Sequence, residues 1–379
     1  MERTLPRSEE VPLLGMLGWK EAMALVGPRR AGKSTLARRL LYAWQAQGKT
    51  GDYIDLESFG APATPDGLLK FAAGIPKGGL LVIDEVQEAK GWEKFVRQEV
   101  EYERHHVLVT GSNASLLSTE IASSLGGRAF PQKVLPLSYS DARSWGTKDI
   151  SEHLRIGGYP ECVLRPTDAT RLHKLYFEST ILRDVAARKG IREIKPLSDL
   201  ALLLLSETGK VISSKKTAES LGISQPTMRA FEEALCNAML LIRVLPLKRS
   251  PRERLVADAK HYAIDTGLQA SVSISESEDE GRRLENLVAV ELYRRGYDVS
   301  YYSGTRECDF IASKTGEPTL AVQVCSAKDM PQREVEGLAE GMKAASARGL
   351  LLTTEKSDAK LTKGAENKTV ENWLLDRTG

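Results

Sequence analysis

The sequence predicts an α/β protein that opens on a doubly wound parallel sheet and continues through a mostly helical region into a second, smaller α/β unit. Three observations predict it. A glycine-rich phosphate loop lies between a strand and a helix, an aliphatic strand ends in two carboxylates, and strands alternate with helices over the first 140 residues or so.

Ala24-Leu25-Val26 reads as a short buried strand, and Gly27-Pro28-Arg29-Arg30-Ala31-Gly32-Lys33-Ser34 follows as GxxxxGKS. The glycines let the backbone curl so that its N–H groups face a β-phosphate at the positive end of the next helix. That helix shows in Leu36, Leu40 and Trp44, recurring every four residues until Gly48. Gly27 to Thr35 are therefore candidate ATP contacts: Gly27, Pro28, Arg29, Arg30, Ala31, Gly32, Lys33, Ser34 and Thr35. Lys33 is placed for the β- and γ-phosphates, and Ser34 for Mg²⁺.

Gly79 to Ile83 is an apolar run closed by Asp84-Glu85. Uninterrupted aliphatic strands suit a parallel sheet covered on both faces, and their C-terminal ends are where such sheets bind ligands. Asp84 is the second candidate Mg²⁺ ligand and Glu85 the candidate catalytic base. Two carboxylates favour a hydrolase over a nucleotide kinase. Further strands are expected at Tyr53–Leu56, Val107–Val109 and Lys133–Leu137. Thr110 and Asn113, in the polar cluster after Val109, have two readings, a γ-phosphate sensor or the N-cap of a helix at Ser115.

Composition bounds the rest. The 379 residues suffice for two or three domains, and 41% hydrophobic with 27% charged residues excludes disorder. Lys+Arg 53 against Asp+Glu 51 excludes coating nucleic acid by bulk charge. No apolar run approaches the ~20 residues of a membrane span, and MERTLPRSEE lacks a secretory h-region. The expectation is a cytoplasmic protein. Its four cysteines, Cys162, Cys236, Cys308 and Cys325, have no zinc-ligand spacing.

Residues 149–189 read as helices of a lid or connector. From Pro196 the pattern becomes helix, helix, Gly222 turn, a helix capped by Ser224, then β-prone Leu240–Leu247 and a basic turn at Lys248–Arg254. That is a winged-helix order. Between 186 and 260 there are 14 Lys and Arg against 8 Asp and Glu, leaving the rest of the chain negative. Gln225, Thr227, Arg229, Lys248, Arg249 and Arg252 are the candidate DNA contacts, while Glu232 or Glu233 on the same helix would repel phosphate. Plain packing is the competing reading.

GPRRAGKSTL, VIDEVQ, VTGSNASLLS and SLGGRAFPQKVLPLSYSDA, in this order, resemble the AAA+-like ATPase domain of a large prokaryotic group. In that group the ATPase is fused to a C-terminal region of unknown function. The resemblance continues through GGYPE, ILRDV, KHYAIDTGL, LENLV and ECDF. It implies an arginine finger at Arg128 and a homo-oligomer, against the alternative of an exposed structural arginine. The order of elements after residue 282, with Glu285, Asp309, Gln323 and Cys325, resembles the PD-(D/E)xK nuclease fold. Cys325 stands where that fold has lysine and Gln323 where glutamate is usual, so a degenerate site that does not cut is expected.

The expected organisation is an ATPase domain over 1–145, a connector over 146–195, a winged helix over 196–270, an acidic linker over 271–281 and the nuclease-like domain over 282–379. The expected function is Mg²⁺-dependent ATP hydrolysis coupled to DNA. Two alternatives stand beside it, an ATP switch acting through protein partners and a nuclease gated by ATP.

Overall fold

The computed structural model describes residues 5–112, 125–248, 250–273, 280–326, 331–356 and 360–376. The chain packs into two units, residues 1–137 with 237–239, and residues 138–236 with 240–379. The expected boundaries at 195 and 271–281 fall inside the second unit.

In the first unit five parallel strands form one sheet in the order β2-β3-β4-β1-β5. They are β1 (Ala22–Val26), β2 (Gly51–Asp55), β3 (Leu80–Asp84), β4 (His106–Gly111) and β5 (Ala129–Lys133). The three inner strands are aliphatic and almost wholly buried, as a sheet covered on both faces requires. Helix Lys33–Gln45 buries Leu36, Leu40 and Trp44 against it. This arrangement fits a P-loop NTPase α/β fold. The fifth strand lies at 129–133 rather than the expected 133–137, because it is an edge strand. Its half-exposed AFPQK sequence carries no aliphatic signal, and an edge tolerates Pro131.

Between strands β3 and β1 the sheet inserts β4. The C-terminal ends of these three parallel strands bring Asp84, Thr110 and the loop after Val26 to one end of the sheet.

The second unit begins with short helices over Tyr139–Trp145, Ile150–Ile156, Pro160–Leu164 and Ala169–Ser179, then a π-helical stretch over Thr180–Ala187. An eight-stranded sheet follows in the order β13-β12-β11-β10-β9-β7-β8-β6. Its strands are β6 (Val211–Ile212), β7 (Leu241–Pro246), β8 (Ala259–Ala263), β9 (Asp298–Ser303), β10 (Glu307–Ser313), β11 (Leu320–Cys325), β12 (Arg348–Thr353) and β13 (Ala365–Thr369). Strands β7 and β9 pair in parallel through Leu245–Ser300 and Pro246–Tyr301. The regions expected as two domains therefore share one sheet and one core, built on Tyr262, Val288, Leu292, Phe310 and Leu352.

The acidic stretch was expected as a linker over 271–281, but its ends are helical, in Thr266–Val272 and Glu280–Arg294. Residues 274–279 lie outside the described residues. The basic turn expected before the returning strand contains a helix, Pro251–Val256.

Asp265 ties the helices of this unit together. Its buried carboxylate caps helix Thr266–Val272 through the Leu268 N–H at 2.8 Å and also accepts the Gly158 N–H at 2.6 Å. Asp265→Ala would orphan both amides, at about 1–3 kcal/mol each. Urea unfolding should show a loss of about 2 kcal/mol or more, and an unchanged midpoint would contradict this role.

Candidate functional site

The loop after β1 is held by two constraints that its sequence anticipates. A Cβ on Gly27 would lie 1.8 Å from the Val134 carbonyl oxygen, so only glycine lets the loop start there. Gly32 takes φ 93°, a left-handed conformation that glycine adopts without strain, and opens helix Lys33–Gln45. Ser34 and Thr35 occupy its first turn. Pro28 and Ala31 are buried, Arg30 is exposed with φ 68°, and Arg29 pairs with Glu57 at 3.3 Å. The Lys33 ammonium donates to the Gly27 and Pro28 carbonyls at 3.0 and 3.1 Å, so it already lies across the mouth of the loop.

One brace was not read from the sequence. Arg7 is buried, and its guanidinium donates to the Ala31 carbonyl at 2.7 Å and the Leu135 carbonyl at 2.8 Å. It clamps the outer turn of the phosphate loop to the segment that Gly27 touches.

Asp84 ends β3 and Glu85 follows it, both buried. The Thr110 hydroxyl, from the end of the neighbouring strand β4, donates to Asp84 Oδ1 and accepts the Glu85 N–H at 3.0 Å. The Tyr53 hydroxyl, from β2 on the other side, donates to Asp84 Oδ2 at 2.5 Å. Burial and this contact with Asp84 push the Tyr53 pKa far above its usual value, so it stays a donor. Glu85 is held at φ 51°, ψ 52°, a left-handed conformation costing a non-glycine residue about 1–2 kcal/mol. Gln87 donates to Glu85 Oε2 at 2.5 Å, while its own Oε1 is buried without a partner. Tyr53 and Gln87 were also missed.

The Ser34 hydroxyl and Asp84 carboxylate are hard oxygen donors of the kind Mg²⁺ takes together with nucleotide phosphates, so the residues fit that ion. Asn113 lies outside the described residues. Arg128 precedes β5, where Ala22 at the start of β1 pairs with Ala129. It therefore sits at the opposite end of the sheet from the phosphate loop, about 16 Å away at ~3.3 Å per residue. There it pairs loosely with Glu101 at 3.8 Å.

In the second unit, helices Ser214–Ser220 and Gln225–Asn237 are followed by the β7–β8 pair, with β6 beside β8. Gln225 donates to Ser214 Oγ at 2.9 Å, and Arg229 to the Val256 carbonyl at 3.3 Å. These two are therefore tied within the fold. Thr227 meets Ser224 in the helix cap. Lys248 and Arg252 are exposed, and Arg249 lies outside the described residues. Of the two acidic residues on this helix, Glu233 is exposed, whereas Glu232 is buried against His261 at 2.6 Å and Arg243 at 2.9 Å. Glu232 would thus not repel a phosphate.

A cavity of about 590 Å³ lies in the same unit, lined by Lys260, Glu285, Glu307, Asp309, Gln323 and Glu334 among others. Three of the four residues expected as a degenerate nuclease site come together there. Cys325 is buried but does not line the cavity. Gln323 donates to Glu334 at 2.6 Å and accepts the Asp309 N–H at 3.3 Å, and Asp309 accepts the Val324 N–H at 2.8 Å. Although Cys325 stands where the resembling fold has lysine, Lys260 brings a cation to this cavity from β8. It is buried, lies 3.6 Å from Glu285 and bonds Glu307. Tyr262, two residues along β8, donates to Glu285 at 2.6 Å. Burial pushes the carboxyls of Glu285 and Asp309 up, and for Asp309 the neighbouring Glu285 adds to it.

Comparison with known proteins bears on the first unit most directly. Residues 20–142 match the family model of an AAA domain, and residues 147–279 match that of a domain of unknown function (DUF8612). An uncharacterized protein of Haemophilus influenzae is 29% identical over 375 residues, 92% of this chain and 93% of its own. The uncharacterized protein MJ1544 of Methanocaldococcus jannaschii is 32% identical over 297 residues, 71% of this chain and 66% of its own. Among solved structures, AMPPCP-bound DnaA from Aquifex aeolicus aligns over 60% of this chain and 85% of its own at 14% identity, with a TM-score of 0.33. A likeness that remote carries no weight beside the family match. The phosphate loop, the acidic strand end and that match together make the first unit an AAA-type P-loop domain suited to binding ATP.

Arg7→Ala removes two hydrogen bonds from a charged donor, each worth about 1.5–3 kcal/mol. Titration with a fluorescent ATP analogue should show at least several-fold weaker binding, together with a lower unfolding temperature. Unchanged affinity would show that the loop does not need this clamp.

Proposed function

We propose that the chain hydrolyses ATP and couples the cycle to DNA through the helix–turn–helix segment of its second unit. The observation that carries the first half is the end of β3. Asp84 is held by Thr110 and Tyr53, while Glu85 is turned away from it by a left-handed backbone and braced by Gln87. The two neighbouring carboxylates are thereby given separate tasks.

In this reading Lys33 and the loop amides bind the β- and γ-phosphates, and Ser34 and Asp84 hold Mg²⁺, which when bound neutralises phosphate charge. Glu85 accepts a proton from the attacking water. Gln87, with a donor on Glu85 and an unpartnered acceptor beside it, steadies that water. Thr110 keeps Asp84 and the Glu85 amide in register. Positioned charge of this kind supplies most of the catalysis in phosphoryl transfer. Glu85→Gln should keep ATP affinity and lose turnover by 10²-fold or more, whereas Lys33→Ala should lose affinity. Phosphate-release and binding assays check both, and wild-type turnover in Glu85→Gln would sink the assignment.

Arg128, at the far end of its own sheet, acts here only on a neighbouring subunit's nucleotide. Turnover per chain should then rise with protein concentration, and Arg128→Ala should flatten that dependence, since an arginine finger is worth ~10³-fold or more. Full activity in a monomer, or an unaltered Arg128→Ala, would remove both the finger and the oligomer from the account.

The DNA half rests on the winged-helix order of elements and on the exposed Lys215, Lys216, Lys248 and Arg252 around them. With Gln225 and Arg229 engaged inside the fold, contact to phosphates is favoured over readout of bases. The eight-stranded unit is read as nuclease-derived and non-cutting, since Gln323 and Cys325 leave the usual ligand and lysine positions unfilled.

A further inference from the structure

A nuclease-derived cavity implies a divalent metal ion between its carboxylates, and the residues here do not fit one. With Lys260 in place, no group of three His, Cys, Asp or Glu side chains among the described residues is arranged to hold a metal ion. Gln323 contributes a neutral amide whose orientation is fixed by Glu334 on one side and Asp309 on the other. The centre of the cluster already contains a positive charge.

That charge is Lys260. Strand β8 alternates its side chains, so Lys260 and Tyr262 face Glu285 while His261 between them faces Glu232. The ammonium bonds Glu307 from β10 and stands 3.6 Å from Glu285 on helix Glu280–Arg294. Burial works against the charge on Lys260. The carboxylates of Glu285, Asp309 and Glu307 outweigh it and hold its pKa above the usual lysine value. A buried ammonium among three carboxylates compensates charge that would otherwise be costly in the interior.

We propose that Lys260 is the resident cation of this cavity, standing where a divalent ion would stand, so that the protein binds no metal there while the lysine is present. This inference rests on the nuclease-derived reading of the second unit. It deepens that reading, because the departure at Gln323 and Cys325 is matched by a cation arriving from a strand outside the β9–β11 hairpins. A lysine that served only as a water-orienting group beside a metal would leave the metal's place open, whereas this one fills it.

The test is Mn²⁺ binding to the full chain without nucleotide, read by electron paramagnetic resonance. Wild type should show no bound Mn²⁺ that disappears in Asp309→Asn. Lys260→Met should gain about one Mn²⁺ per chain, and the gain should vanish when Asp309→Asn is added. Asp309-dependent Mn²⁺ in wild type would overturn the proposal, as would a folded Lys260→Met that gains none. A Lys260→Met chain that unfolds is refolded with Mn²⁺ present: rescue supports the proposal and failure of rescue overturns it. Mn²⁺-dependent DNA cleavage by wild type, abolished in Asp309→Asn, would sink the non-cutting reading as well. Binding without cleavage would sink the resident lysine alone.

Discussion

The hydroxyl of Thr110 is the contact on which the nucleotide end of the first unit depends. It is one atom shared by two strands, donating to Asp84 and accepting from the amide of Glu85. Tyr53 and Gln87 each hold one of the two adjacent, buried carboxylates, whereas Thr110 bonds both residues. With it, Asp84 is held between Thr110 and Tyr53, and Glu85 takes a left-handed conformation with its carboxylate on Gln87. The sheet order makes this contact available, since β4 pairs with β3 and brings Thr110 beside its C-terminal end. Strain at Glu85, about 1–2 kcal/mol for a left-handed non-glycine residue, is sustained because the surrounding bonds over-determine it.

The second unit solves a related problem with a different charge. Three carboxylates converge below a cavity, and the fold supplies an ammonium from β8. Because β8 belongs to the same sheet as β9 and β10, the segments expected as a winged helix and a nuclease-like domain cannot be treated as separate beads on a linker. His261 and Lys260, side by side on one strand, serve opposite faces. His261 hydrogen-bonds Glu232 on the helix expected to meet DNA, and Lys260 compensates Glu285 and Glu307.

What could be read from the sequence was local. The phosphate loop, its helix and the acidic strand end are contiguous motifs whose spacing is itself the geometry, and Gly27, Lys33, Asp84 and Glu85 lie where the pattern puts them. Strand β5 was displaced by four residues because an edge strand needs no aliphatic run, and the buried Val134–Leu137 segment imitated one. Arg7 and Lys260 went unread for a different reason. Each acts on partners 24 or more residues away in sequence, and a single charged residue gives no sign of such a partner, even in the motif KHYAIDTGL. The one available signal was period two: Lys260 and Tyr262 flank a histidine in a strand too buried to leave a lysine unpaired. On the helix at 225–237, periodicity left Glu232 and Glu233 undecided, and only the partners across the fold, His261 and Arg243, settle which one turns inward.

The claim that organises the first unit is that a single hydroxyl sets the roles of two carboxylates, and Thr110→Val tests it most directly. Valine keeps the shape and buried position and removes only the hydrogen bonds. ATP affinity and phosphate release measured side by side should show binding close to wild type and turnover reduced by 10²-fold or more. Turnover that survives in Thr110→Val, at unchanged affinity, would mean that Glu85 does not depend on this contact and would contradict the account.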